Sequence, residues 1–172
     1  MTLRLTIAID PGLSGAIGVL ADGEAIEVHD MPTRTFGKFA EVDDVRLAAI
    51  LRGVRGNHRG AWVSACIERV QAMPASLKGV RQGGTSNFRF GESYGVARAV
   101  LGALSIPYER VAPVQWKPHF ALSGSDKDAS RQLALKRFPS MAHRLTRKKD
   151  DGRAEALLIA LWFEAKGTRK AA

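Results

Sequence analysis

LRLTIAIDPGLSGAIGVLA, residues 3–21, decides the architecture of this 172-residue chain. Leu3 to Ile9 is rich in aliphatic and β-branched residues and stops at Asp10-Pro11-Gly12, where proline fixes one backbone angle and glycine permits a sharp reversal. Ala16 to Ala21 resumes the apolar pattern, and Ala25 to Asp30 follows the turn Asp22-Gly23-Glu24. The reading is a first strand and then a hairpin of two more. Asp10 therefore stands at the C-terminal tip of the first strand. An aspartate before Pro-Gly also serves as a turn-former, so alone it names no chemistry.

Further along, Val45, Leu47, Ala48, Ile50, Leu51 and Val54 fall at helical spacing within Val42 to Val54, and Gly53 and Gly56 mark the exit. WVSACIE, from Trp62 to Glu68, is the short apolar run of a buried strand, and the helix before it makes parallel pairing with the first strand natural. A polar, glycine-containing stretch from Gln71 to Phe90 comes next. A helix is expected from Glu92 to Leu104, a strand from Tyr108 to Val111, and helical segments over Val114 to Phe120, Lys127 to Phe138 and Arg153 to Lys166. Trp62, Trp162 and Phe163 are read as core residues; Trp116 has a core reading beside one in which it stacks on nucleic acid. This order predicts the α/β class, specifically an RNase H-like fold with a central mixed five-stranded sheet flanked by helices. Residues 1–166 are expected to form one domain, and 167–172 a disordered basic tail.

Lys and Arg number 26 against 17 Asp and Glu, a formal charge of +9, which is the footprint of a protein that meets a polyanion. From Arg110 to Arg153 there are 11 basic residues and four acids, so this segment carries +7 of the total. A solvated surface kept for solubility would look the same. With Cys66 the only cysteine, an intrachain disulfide and a thiolate zinc cluster are both excluded, and a reducing cytosol is the expected compartment. The four histidines, at 29, 58, 119 and 143, show no metal-ligand spacing. No apolar run reaches the roughly 20 residues of a membrane-spanning helix.

Against this basic background the acids matter. Glu68 ends an apolar strand, where a carboxylate needs a positive partner or an opening to solvent. If that strand pairs in parallel with the first, Asp10 and Glu68 lie side by side beyond the strands' carboxyl ends, where α/β sheets bind ligands. Asp151 and Glu155 are four residues apart at the start of a helix, hence on one face of it. Acids in a first helical turn also serve as caps, but the following AEALLIALWF is apolar almost all round, so this helix packs inward and carries its acids to the sheet edge. Four converging carboxylates in a basic protein call for divalent cations, and oxygen ligands suit Mg2+, with Mn2+ as a substitute.

IDPGLSG, IERVQAMP, ESYGVARAVLGAL, VAPVQWKPHF and KKDDGRAEALLIALW, in this order over nearly the whole chain, resemble the RuvC-type Holliday-junction resolvases, and KKDDGRAEALLIA looks closest to their phage and chloroplast branch. The resemblance implies a homodimeric endonuclease that places paired nicks in a four-way DNA junction, with two Mg2+ per site and no organic cofactor. It maps the metal ligands to Asp10, Glu68, Asp151 and Glu155. It makes Lys117 and Lys127 phosphate-contacting or catalytic-loop lysines, with Lys117 in both the catalytic and the DNA-contacting set and Lys127 in the latter, and has the 71–90 segment probe the junction centre. Typical bacterial members space the last two acids by three residues; here Asp151 and Glu155 are four apart, so Asp150 rivals Asp151, which keeps helical phase with Glu155. Arg81, Phe88, Arg89, Phe90, Arg131, Arg147, Lys148 and Lys149 complete the expected DNA-contacting set, with core anchoring as the other reading of the two phenylalanines. A YqgF-like ribonuclease of RNA maturation and a non-catalytic binder of branched DNA are the alternatives.

Overall fold

β1 (Arg4–Ile9) is the spine of the molecule: five of its six residues are buried, so both faces of the strand are covered. The computed structural model describes the backbone of residues 2–69 and 84–170, and their side chains apart from 127 and 168–170. β2 (Ala16–Ala21) and β3 (Glu24–Asp30) continue from β1 as an antiparallel meander, while β6 (Trp62–Glu68) and β7 (Tyr108–Val111) add on its other side in parallel. The strand order is β3-β2-β1-β6-β7, a mixed five-stranded sheet. With helices on both faces, this is the RNase H-like α/β arrangement expected from the sequence.

The two-residue period of the strands sorts the core into layers. Ala8, Leu20, Cys66 and Val111 face one side, where they meet Trp116, α4 (Lys127–Arg137) and α5 (Asp151–Lys170). Ile7, Ile9, Val19, Ala65 and Ile67 face the other, under α1 (Asp44–Asn57) and α2 (Gly84–Ala103). α1 starts where the Asp43 side chain accepts a bond from the Arg46 N–H, and it buries Leu47, Leu51 and Val54. In α5 the run Ala156 to Ala160 is wholly inaccessible, which explains an apolar pattern too continuous for a surface helix. Each leucine in that run contributes roughly 1.5–3 kcal/mol by leaving water.

Two glycines let α5 lie this close. A Cβ on Gly18 would sit 2.9 Å from the backbone of Ala156 and Leu157, and one on Gly152 would sit 2.5 Å from the Ser14 carbonyl oxygen. The first turn of α5 is therefore seated on the 12–15 turn that follows Asp10.

Two expectations need correction. Trp62 is not core: it opens β6 opposite the exposed Arg4, at the outer end of the strand, and is two-thirds exposed. Val45 is also exposed, on the outer face of α1. Residues 84–90 are not loop but the first turns of α2, although Gly84, Ser86, Asn87 and Gly91 favour helix poorly. A second, two-stranded sheet was not anticipated: β4 (Thr33–Phe36) pairs with β5 (Phe39–Val42). Short connecting helices occupy Pro113–Trp116 (α3) and, in 3₁₀ form, Pro118–Phe120, Pro139–Arg144 and Lys148–Asp150. No helix among the described residues is long and apolar enough to cross a membrane.

Candidate active site

Ile9 and Ile67 are register partners in the parallel β1/β6 pair, so the next residues, Asp10 just beyond β1 and Glu68 at the end of β6, stand at adjacent strand tips. Adjacent strands lie about 4.8 Å apart, which holds the two acids close whatever their rotamers. The Asp10 N–H donates to the Ala16 carbonyl at 3.0 Å, fixing the strand end, and the Gly12 N–H points to Asp10 Oδ1 at 3.4 Å.

Above this pair stands the start of α5, brought in by the contact of Gly152 with Ser14. Burial, then the charges of Glu155 and Asp151, raise the Asp10 carboxyl to a pKa of about 6, against the opposing influence of the Gly12 N–H and Lys117. Burial, then the charges of Asp10 and Glu155, raise Glu68 to about 7, against the Trp116 bond and Lys117. These mutual influences identify one electrostatic cluster drawn from β1, β6 and α5.

Each carboxylate also has a specific partner. The buried Trp116 donates its indole N–H to Glu68 Oε1 at 2.8 Å. Lys117 Nζ lies 3.0 Å from Glu155 Oε1, and the Ser130 hydroxyl donates to the same oxygen at 3.3 Å. In this arrangement no three acid, histidine or cysteine side chains among the described residues are grouped so as to hold one metal ion. The all-oxygen donor set matches Mg2+ or Mn2+ in chemistry, and two raised carboxyls side by side are the electrostatic condition that a divalent cation relieves.

Asp150 and Asp151 diverge. Asp150 is buried in the 3₁₀ turn before α5, accepting from the Arg147 guanidinium at 2.7 Å and the Arg147 N–H at 2.8 Å, with Arg153 3.8 Å away. Burial acts to raise its pKa, but these partners prevail and hold it below the ordinary carboxylate range. Asp151 begins α5 and acts electrostatically on Asp10.

The expected DNA-contacting residues distribute unevenly. Lys148 and Lys149 are exposed, and Arg147 is half exposed although tied to Asp150. Arg131 turns inward, with two bonds to Asp128 and one to the Leu145 carbonyl. Phe88 is exposed, Arg89 stacks on Phe39, and Phe90 comes to the edge of the 12–15 turn. Arg81, the rest of the 71–83 segment and the Lys127 side chain lie outside the described residues. Sequence reasoning missed Ser130 and the role of Trp116 as the donor to Glu68; Trp116 beside Lys117 in VAPVQWKPHF was the available signal for the latter.

No family model matches the chain, and no curated protein matches it by sequence. Among solved structures it is similar to Thermus thermophilus RuvC in complex with a Holliday junction substrate, at 18% identity and a TM-score of 0.59, covering 96% of this chain and 97% of that one. A second Thermus thermophilus RuvC structure gives 18% identity and 0.58, with 96% and 98% covered. At this identity the likeness carries the fold: an RNase H-like domain shared over nearly the full length of both chains.

Proposed function

We propose that this protein is a divalent-metal-dependent endonuclease that resolves four-way DNA junctions. The observation that carries the reading is the cluster of Asp10, Glu68, Asp151 and Glu155, two of whose members have raised pKa values, at the carboxyl end of the parallel strand pair in a chain of charge +9. Acids that repelled phosphate with no cation to bridge them would only weaken DNA binding. The overall fold similarity to a RuvC seen with a junction supports the substrate class. The phage and chloroplast branch is proposed on the KKDDGRAEALLIA motif.

Asp10, Glu68, Asp151 and Glu155 would hold two Mg2+, whose chemistry is activation of a water and neutralisation of charge on the transferred phosphoryl group. The chain's own residues prepare the rest. Trp116 orients Glu68 by donating to one of its oxygens. Ser130 steadies Glu155. Lys117, less than one-third exposed, places a cation beside the acids and is suited to pair with a phosphate oxygen of the cut strand. Lys127, Lys148 and Lys149 are assigned to phosphate contacts farther out. A homodimer supplies the second site that paired nicks need, since an isologous dimer matches the near two-fold symmetry of the junction.

The deciding experiment incubates the protein with a labelled synthetic four-way junction with and without Mg2+, reading product lengths on a denaturing gel. Symmetric nicks in opposing strands, dependent on the metal, are expected. Cutting confined to structured RNA would favour the ribonuclease, and tight junction binding without cutting the architectural protein.

A further inference from the structure

The β4–β5 hairpin has no place in the central sheet, and its composition is unusual for an edge element. Thr33, Arg34, Thr35 and Phe36 are all exposed. Its root is anchored: Val42 is buried, Arg34 bonds Glu41 across the hairpin at 2.7 Å, and Arg34 forms an ion pair with Asp44 of α1 at 2.9 Å. The tip is a two-residue turn, Gly37-Lys38, with φ +60° at Gly37 alone, the glycine-first turn that suits the strands' twist. Phe36 and Phe39 are direct register partners, so their side chains project from one face of the hairpin, 73% and 54% exposed. Two large aromatics this exposed keep apolar surface in water at a cost in solvation free energy.

Their surroundings say what they fit. The Arg89 guanidinium lies 3.6 Å from the centre of the Phe39 ring. Beside Arg89, Phe90 reaches Gly12, two residues from Asp10, its ring 3.7 Å from where a Gly12 Cβ would stand. Between Gly12–Ser14 and the start of α2 runs a cleft of about 680 Å³ lined by Ser14, Thr85, Ser86, Arg89 and Phe90. The cleft thus has Gly12, two residues from Asp10, on one side and Arg89, which carries the contact to Phe39, on the other. Aromatic faces alternating with cations are the means by which proteins take unpaired nucleobases and their phosphates. A second copy of this chain would present the same basic, +9 surface to it, which disfavours self-pairing at this patch.

We propose that the β4–β5 hairpin is a base-stacking arm, in which Phe36 and Phe39 take an unpaired nucleobase of the DNA strand that runs into the active site and Lys38 and Arg89 pair with its phosphates. This rests on the nuclease reading above. The test compares the full-length protein with Phe36→Ala/Phe39→Ala and Phe39→Trp, in EDTA, on single-stranded and four-way DNA carrying 2-aminopurine near the branch point and on plain duplex. Stacking changes the 2-aminopurine emission, so wild type and Phe39→Trp should give the change and the double variant should lose it. Its affinity for unpaired DNA should fall roughly five- to a hundred-fold, with duplex binding nearly unaffected. If the double variant keeps the emission change and affinity while wild type cuts junctions, the arm is refuted and the nuclease reading survives. If wild type binds no DNA, both fall. A double variant that loses dimer mass but not base stacking would overturn the proposal in favour of a second copy.

Discussion

Glu68→Gln should make the metal-free protein more stable at pH 8 while abolishing its cleavage. In the folded chain Glu68 is raised from 4.5 to about 7 by burial and by its acidic neighbours. The native state then binds more protons than the unfolded one between these values, so metal-free stability is highest below pH 4.5 and is lost as pH rises through 7. At about 1.4 kcal/mol per pKa unit, the charged form costs up to roughly 3 kcal/mol at pH 8. Part of that is shared with Asp10, and Gln keeps the Trp116 bond through its carbonyl oxygen, so a net gain of about 1–3 kcal/mol is expected. For a chain of this size that is a rise in Tm of roughly 2–10 °C. The assay is thermal and urea unfolding of wild type and variant in excess EDTA from pH 4.5 to 8.5, repeated with Mg2+. Wild type should lose stability across the window and regain it with Mg2+, whereas the variant should be flatter in pH and respond less to metal. Parallel pH curves, or a variant less stable than wild type at pH 8, would refute the strained-carboxylate reasoning.

Asp10→Asn, Glu68→Gln, Asp151→Asn and Glu155→Gln are each expected to lower junction cleavage by several orders of magnitude with binding retained, and Asp150→Asn to act through stability; near-wild-type turnover by Glu155→Gln removes it from the site. Gly152→Ala should cost about 1–3 kcal/mol and most activity, because the new methyl meets the Ser14 carbonyl, whereas Gly167→Ala, with open space at its Cβ, should be neutral or stabilising; equal denaturation midpoints would deny the close seating of α5. Lys117→Ala and Lys127→Ala should slow cleavage and each flatten the log–log salt dependence of DNA binding by about one unit, a result read by titration at several salt concentrations. Light scattering at micromolar concentration should give about twice the 18.6 kDa chain mass, and mixing with Asp10→Asn chains should produce singly nicked junctions.

The strand ends carried most of what the sequence could say. Asp10 and Glu68 were legible because each closes an apolar run, and a helix between two such runs implies parallel pairing and adjacent tips. The first turn of α5 was legible because its continuous apolar run could only be a buried helix. What periodicity could not supply was tertiary. Trp62 looks buried in WVSACIE, yet it precedes the part of β6 that the helices cover. The β4–β5 hairpin has strands of four residues, too short for alternation to declare a buried face, and only Gly37-Lys38 hinted at a turn. Asp150 and Asp151 are identical in type and adjacent. They separate only when Arg147 and Arg153 close on the first, while the charge of the second acts on Asp10.

The seating of Gly152 against Ser14 joins sequence positions almost at opposite ends of the chain. During synthesis, β1, β2, β3 and β6 leave the ribosome long before α5, so the growing polypeptide bears Asp10 and Glu68 while Asp151 and Glu155 do not yet exist. A prematurely terminated product is in the same condition. On the nuclease reading proposed above, such a fragment would meet DNA with only half of the acid set, and cutting would wait for the last helix to dock.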